Sequence, residues 1–173
     1  MKNETEKRKF RIKEAFIKSE LYTVNFICSG NIIRSPYAHL LFSHMIDGDS
    51  QLKGRINVES SGVKYRNSSL SSESNEMLLK KGVSKKLITE FKPRYFLDHP
   101  NMFKSVDLIL VMEKTHIRYL PESIQNRAFL LLEFTQGVSE DIPDPFFDPP
   151  FERAYNMIDK SLKLLVNFFE EDC

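Results

Sequence analysis

Apolar residues along the chain follow two alternating patterns, short β-rich runs and longer stretches with a helical repeat. The β-rich runs predict four strands, at residues 22–27, 56–58, 106–112 and 127–132. Apolar positions spaced by three and four predict helices at residues 37–46, 71–81 and 151–169. Because short strands alternate with helices, we expect an α/β fold in which a parallel sheet carries helices on both faces.

The first 20 residues differ from the rest of the chain by their dense, mixed charges. We interpret residues 1–20 as an N-terminal extension, either helical or partly disordered, ahead of one domain at residues 21–173. In a helix, Phe10, Ile17 and Leu21 would share one face. Such a helix would either pack on the domain or contact a partner or an anionic surface.

Composition narrows the classes of function. A chain of 173 residues with 41% hydrophobic residues fits one domain with its own core. A net charge of +1 gives no support for nucleic acid or a membrane surface as the main partner. No apolar run is long enough to span a bilayer, and the mixed N-terminal charges do not fit a secretory signal. Cys28 and Cys173 are poorly placed for a structural disulfide, so a reducing, cytoplasmic location is expected.

The loop after the first strand, residues 28–36, carries the clearest chemistry. Parallel α/β sheets bind ligands at the carboxyl ends of their strands, where this loop is expected to lie. Gly30 and Asn31 tolerate the left-handed backbone that lets successive amides converge on an anion. Arg34 can hold two oxygens of a phosphate group, and Pro36 begins a helix whose N-terminus attracts the same charge. These features predict a phosphate-binding loop that contains Ser29, Gly30, Asn31, Ile32, Ile33 and Ser35.

Cys28 begins this loop and is the candidate nucleophile. The positive field of the loop and of Arg34 favours the thiolate form of the cysteine. Ser35 can donate a hydrogen bond to the sulfur and stabilise it as a leaving group. The alternative is a buried thiol at a strand end beside a surface arginine, which leaves the intervening glycine and asparagine and the Ser-Pro pair unexplained.

A phosphocysteine route also needs an acid that protonates the leaving oxygen. Asp144 is the best candidate because the prolines on both sides of it restrict its backbone, and Asp148 is the second choice. Phe146 and Phe147 follow and are expected to form an aromatic wall beside a phenyl ring. Tyr65 is expected either to line the mouth of the site or to belong to an ordinary exposed loop.

The segment from Cys28 to Pro36, together with the Asp144-Pro145 pair, resembles the low-molecular-weight protein tyrosine phosphatases. The likeness extends over residues 22–169 and includes Ser60-Ser61-Gly62 after the second strand and an acid after residues 108–112. It implies a flavodoxin-like, doubly wound, four-stranded parallel sheet with helices on both faces. It also implies hydrolysis of a phosphotyrosine-containing protein or peptide without a metal or other cofactor.

The resemblance implies a role for each site residue. Cys28 attacks the phosphorus, while Arg34 and the loop amides bind the phosphoryl oxygens. Asp144 protonates the tyrosyl oxygen and then activates the water that releases phosphate. Asn31 shapes the loop through the hydroxyl of Ser60.

Three positions depart from the family pattern. Ile33 stands where a second cysteine is common, Phe146-Phe147 where a tyrosine pair is usual, and Glu113 where aspartate is usual. The aromatic wall is therefore kept without its hydroxyls, and Cys28 lacks a neighbouring cysteine for a protective disulfide. The effect of Glu113 and any redox part for Cys173 are left open.

Other functions fit part of the pattern. A thioredoxin-coupled arsenate reductase shares the fold and loop but needs further cysteines, and only Cys173 is available. A phosphate- or phosphotyrosine-binding module needs neither the Cys28 nucleophile nor the Asp144 acid. No metal site is expected, because the histidines are interpreted as surface or hydrogen-bonded residues: His39, His44, His99 and His116.

Overall fold

The computed structural model describes residues 4–171 of the chain. Its strands are β1 Tyr22–Cys28, β2 Ile56–Gly62, β3 Leu108–Val111 and β4 Ala128–Leu130. They form one parallel sheet in the order β2-β1-β3-β4. This order confirms the predicted flavodoxin-like, doubly wound arrangement.

One helix precedes the first strand, and the others connect the strands or follow the last one. Their bounds are α1 Glu4–Lys18, α2 Arg34–Asp47, α3 Ser72–Lys80, α4 Lys85–Glu90, α5 Lys114–Ile117, α6 Glu122–Gln125, α7 Leu131–Gln136 and α8 Phe151–Glu170. The three helices predicted from periodicity correspond to α2, α3 and α8. Within residues 4–171, no helix combines the length and the apolar character that a membrane crossing needs.

The sheet is buried on both faces. Every residue of β1 is buried, and alternate side chains enter different clusters. Val24 and Phe26 pack in the cluster that contains α2 and α8, whereas Ile27 packs with Ile109 and Val111 on the opposite face. Helices therefore cover both sides of the sheet, as the sequence predicts.

Three strand predictions need correction, and the first is the strand expected at residues 106–112, which forms only over Leu108–Val111. The strand expected at residues 127–132 ends at Leu130, because the next residue begins helix α7. A short apolar run does not distinguish a buried strand from the start of a buried helix. Strand β2 is longer than its apolar run and continues through Gly62, which pairs with Cys28. A Cβ atom on Gly62 would lie 2.9 Å from the carbonyl carbon of Gly30, so glycine permits this close approach to the loop.

Helix α1 packs on the domain with a face other than the one expected. Phe16 is 1% exposed and lies edge-on to the rings of Tyr22 and Phe169. Phe10, Ile17 and Leu21 are 56%, 50% and 55% exposed, so the face chosen from the sequence is not the most buried one. Phe16 is the buried residue of α1, and its ring joins an aromatic cluster with Tyr22 and Phe169.

Candidate active site

The loop between β1 and α2 lies at the carboxyl edge of the sheet, where strand order reverses. A cavity of about 340 Å³ opens over this loop. Its lining consists of Cys28, Ser29, Gly30, Ile32, Ile33, Arg34, Tyr65, Asn67, Asp144, Phe146 and Phe147. The fold thus brings Asp144 and the aromatic pair to the Cys28 loop, although they are more than a hundred residues apart in the chain.

Cys28 is buried at the end of β1. Its sulfur accepts hydrogen bonds from the backbone N–H of Asn31 at 3.3 Å and from the hydroxyl of Ser35 at 3.0 Å. Helix α2 begins six residues later, at Arg34, and directs the positive end of its dipole towards the loop. This environment stabilises negative charge on the sulfur.

Asn31 fixes the shape of the phosphate-binding loop through hydrogen bonds outside the cavity. Its φ of 55° places it in the left-handed region. Its side-chain amide donates to the hydroxyls of Ser35 and Ser60, both at 2.9 Å, and its amide oxygen accepts from the backbone N–H of Arg94 at 2.9 Å. Asn31, Ser35 and Ser60 do not line the cavity; they fix the backbone that does.

Arg34 is almost fully buried and is held by three acceptors. Nη1 donates to Glu113 at 2.6 Å and to the carbonyl of Ile142 at 2.8 Å, and Nη2 donates to Asp144 at 2.7 Å. Burial raises the pKa of Glu113, but the hydrogen bond and charge of Arg34 outweigh it and hold that pKa below its usual value. Two carboxylates therefore face one guanidinium beside the cavity.

The entrance is aromatic. Phe146 and Phe147 are 72% and 77% exposed, and their rings meet at 80° with centroids 5.1 Å apart. Tyr65 also lines the cavity and is 58% exposed. The second acid candidate, Asp148, does not line the cavity and instead pairs with Arg153 at 3.2 Å. Of the two acids, the geometry places Asp144 at the site.

The sequence analysis missed two residues next to the loop. Asn67 donates to the carbonyl of Gly30 at 2.9 Å, and nothing in its sequence neighbourhood marks it. His116 is fully buried and lies 3.0 Å from the hydroxyl of Ser29. Glu113 and His116, three residues apart, form a reciprocal capping box at the start of α5, which is a signal for a helix start and not for the site.

The remaining histidines do not approach the cavity lining. His39 is hydrogen-bonded to Ser60 at 3.0 Å, and His44 and His99 are exposed. In the part of the chain that the structure describes, no group of three or more His, Cys, Asp or Glu side chains is arranged to hold a metal ion. Cys173, whose redox part was left open, lies outside the described residues.

The buried His116 predicts a loss of stability in mild acid. Burial lowers its pKa to about 3, against the opposing charge of Glu113. The unfolded chain, in which a histidine has a pKa of about 6.5, therefore binds a proton at a pH where the folded chain leaves His116 neutral. Between about pH 6.5 and pH 5 this one group should lower the free energy of unfolding by about 2 kcal/mol. Urea unfolding at these pH values measures the free energy of unfolding. A His116→Gln variant should lose less of this free energy between about pH 6.5 and pH 5. An equal loss in the variant and the wild type would contradict the assignment to His116.

Comparisons by sequence show which family this chain resembles. The sequence profile of the family described as low molecular weight phosphotyrosine protein phosphatase matches residues 23–172. The low molecular weight protein-tyrosine-phosphatase PtpA of Staphylococcus saprophyticus is 28% identical over 158 residues, which cover 88% of this chain and 96% of that protein.

Two solved structures share the fold. YfkJ from Bacillus subtilis superposes with a TM-score of 0.75 at 23% identity, over 90% of this chain and 98% of that one. The YwlE arginine phosphatase from Geobacillus stearothermophilus superposes with a TM-score of 0.68 at 25% identity, over 87% and 92%. Since the family profile spans nearly the whole chain, this protein belongs to the low molecular weight phosphotyrosine protein phosphatase family of hydrolases.

Proposed function

We propose that the protein hydrolyses phosphotyrosine in proteins or peptides through a phosphocysteine intermediate. The observation that carries this proposal is the meeting of Cys28, Arg34 and Asp144 around one cavity of about 340 Å³. The sulfur accepts two hydrogen bonds there, which suits a nucleophile that works as a thiolate. A binding module would need the loop and the arginine but not this sulfur and this acid.

In the first step the Cys28 thiolate attacks the phosphorus. The S–P bond forms while the P–O bond to the tyrosyl group breaks, and the electron pair of that bond passes to the tyrosyl oxygen. Asp144, in its protonated form, gives that oxygen its proton. Arg34 and the loop amides bind the non-bridging oxygens, so the ion pair between Nη2 and Asp144 opens when substrate enters.

In the second step a water molecule releases the phosphate. The Asp144 carboxylate takes a proton from the water as the water oxygen attacks phosphorus. The S–P bond breaks, and its electron pair returns to the sulfur of Cys28. The donors from Asn31 and Ser35 stabilise the thiolate that leaves.

A second candidate substrate is phosphoarginine, because YwlE, an arginine phosphatase, shares the fold. Phosphotyrosine fits the walls better. The apolar side chains of Ile32, Phe146 and Phe147 line the cavity beside the acceptors of Asp144, Tyr65 and Asn67. A phenyl ring gains apolar and edge-to-face contact from these side chains, whereas a charged guanidinium buries less apolar surface against them.

Hydrolysis of two matched peptides, one with phosphotyrosine and one with phosphoarginine, tests the proposal. The full chain is assayed between about pH 5 and 7 with EDTA present, with and without vanadate. We expect turnover that EDTA leaves unchanged and vanadate blocks, with kcat/KM at least about tenfold higher for phosphotyrosine. Preference for phosphoarginine would overturn the choice of substrate, and phosphate binding without turnover would indicate a binding module.

The loss of activity in Asp144→Asn should depend on the substrate, and it should be larger for a leaving group that needs protonation. We expect kcat to fall by about 10²- to 10³-fold on a phosphotyrosine peptide, because general acid catalysis is lost. The decrease should be smaller on p-nitrophenyl phosphate, whose phenolate leaves readily. The matched control is Asp148→Asn, since Asp148 pairs with Arg153 outside the cavity lining. A large loss in the control with wild-type rates for Asp144→Asn would reverse the assignment of the acid.

A further inference from the structure

Ser29 and His116 form a buried pair beside the cavity that the mechanism above does not use. Ser29 lines the cavity and is 8% exposed, and His116 is fully buried in α5. Nε2 of the imidazole lies 3.0 Å from the hydroxyl oxygen of Ser29. Which of the two atoms carries the shared proton decides what the hydroxyl can do.

The other ring nitrogen settles this question. The backbone N–H of Glu113 donates to Nδ1 of His116 at 3.1 Å. A nitrogen that accepts this bond carries no proton, so the proton of the neutral ring is on Nε2. Burial keeps the ring neutral at the pH of the assays, because it lowers the pKa of His116 to about 3. His116 therefore donates to Ser29, and Ser29 accepts.

The hydroxyl proton of Ser29 must then point elsewhere. The backbone of Ser29 is already held, because its carbonyl accepts from the N–H groups of Lys64 at 2.9 Å and Tyr65 at 3.2 Å. In residues 4–171, His116 is the side chain that meets the hydroxyl, and the structure shows no acceptor for its proton. Because Ser29 lines the cavity, we expect an oxygen atom of a ligand bound there to be that acceptor.

We propose that the hydroxyl of Ser29 is a further donor to the oxyanion bound in the loop, and that His116 is the positioning residue that directs it. The proposal rests on the proposed function for the identity of the oxyanion as a phosphoryl group. His116 then has contacts on two sides of the phosphate-binding loop. His116 binds the backbone of Glu113, whose carboxylate holds Arg34, and it binds Ser29, which directly follows the nucleophile.

Equilibrium binding of inorganic phosphate to the full-length chain, measured by calorimetry, tests the pair. Ser29→Ala should weaken binding by about tenfold, the loss expected for one hydrogen bond to a charged group. Ser29→Cys keeps the shape of the side chain and should reproduce most of the loss, because a thiol donates weakly. Ser72→Ala, on the exposed side of α3, is the control and should leave the dissociation constant unchanged.

His116 variants separate positioning from a general effect on folding. His116→Leu should weaken phosphate binding nearly as much as Ser29→Ala. His116→Gln should restore it, because an amide offers one acceptor and one donor. In a Ser29→Ala background, His116→Leu should weaken binding no further, since its target is gone. Urea midpoints recorded for each variant show whether a loss of binding follows a loss of folding.

Two results would overturn the proposal. One is a Ser29→Ala protein that is folded and binds phosphate within about twofold of the wild type. The other is a His116→Leu effect that is equally large with and without the Ser29 hydroxyl, which would make His116 only structural. Because binding is measured without turnover, a wild-type protein that binds phosphate but hydrolyses neither peptide would refute the proposed function and leave this test valid.

Discussion

Cys28→Ser is expected to abolish turnover by at least about 10³-fold while inorganic phosphate still binds. A serine hydroxyl stays protonated near neutral pH, and the two donors that face the sulfur do not turn it into an alkoxide. The phosphate-binding amides and Arg34 are untouched, so the affinity for phosphate should change little. Initial rates with a phosphotyrosine peptide and calorimetry with phosphate measure the two effects separately.

Cys173→Ser is the matched control, since it makes the same substitution at the second cysteine, which lies outside the described residues. We expect it to retain wild-type rates. Full activity in Cys28→Ser would refute the phosphocysteine route. Loss of activity in both variants would show that Cys173 takes part in turnover, a result that the proposed mechanism does not allow.

Arg34→Lys is the second substitution with a large expected effect, a loss of about 10³-fold in kcat/KM. The guanidinium reaches three acceptors at once: Glu113, the carbonyl of Ile142 and Asp144. A single ammonium cannot hold Glu113 and also bind two phosphoryl oxygens. Phosphate affinity should therefore fall together with kcat, because the same fork serves the ground state and the transition state.

The same substitution should also destabilise the fold. Arg34 is 1% exposed, and without its fork the carboxylates of Glu113 and Asp144 are poorly compensated. We expect a loss of about 3 kcal/mol in the free energy of unfolding, measured with urea. Arg66→Lys is the control, because Arg66 forms a comparable two-pronged pair with Asp98 that is exposed at the surface. Equal effects of the two substitutions would contradict a special role for Arg34.

The sequence pattern predicted the secondary structure correctly where the apolar positions of an element match the faces that it buries. Helix α8 has the apolar repeat that the sequence shows, and β3 is apolar throughout because both faces are covered. The pattern failed where pairing or contact with a distant element decides. Strand β2 extends into polar residues because β1 lies beside it, and α1 turns Phe16 inward because Tyr22 and Phe169 lie there.

The residues of the candidate site also fall into those that the sequence could indicate and those that it could not. Residues within the loop could be selected by type and spacing, because an anion nest, a thiolate and an arginine fork need particular residues close together in the chain. Asp144 could be selected by its prolines, although its distance from Arg34 could not. Asn67 and His116 could not be selected for the site, because their partners Gly30 and Ser29 are distant in sequence and meet them only in the fold.

From the sequence alone we could infer the alternation of strands and helices, the loop from Cys28 to Ser35 and the chemistry of its side chains, because all of these depend on neighbours a few residues apart. Only the folded chain shows which of the two aspartates lines the cavity, which two carboxylates hold Arg34, and that a buried histidine lies 3.0 Å from the hydroxyl of Ser29. These contacts join segments that follow different strands, and the parallel sheet brings the segments together because the carboxyl ends of its strands lie at the same edge.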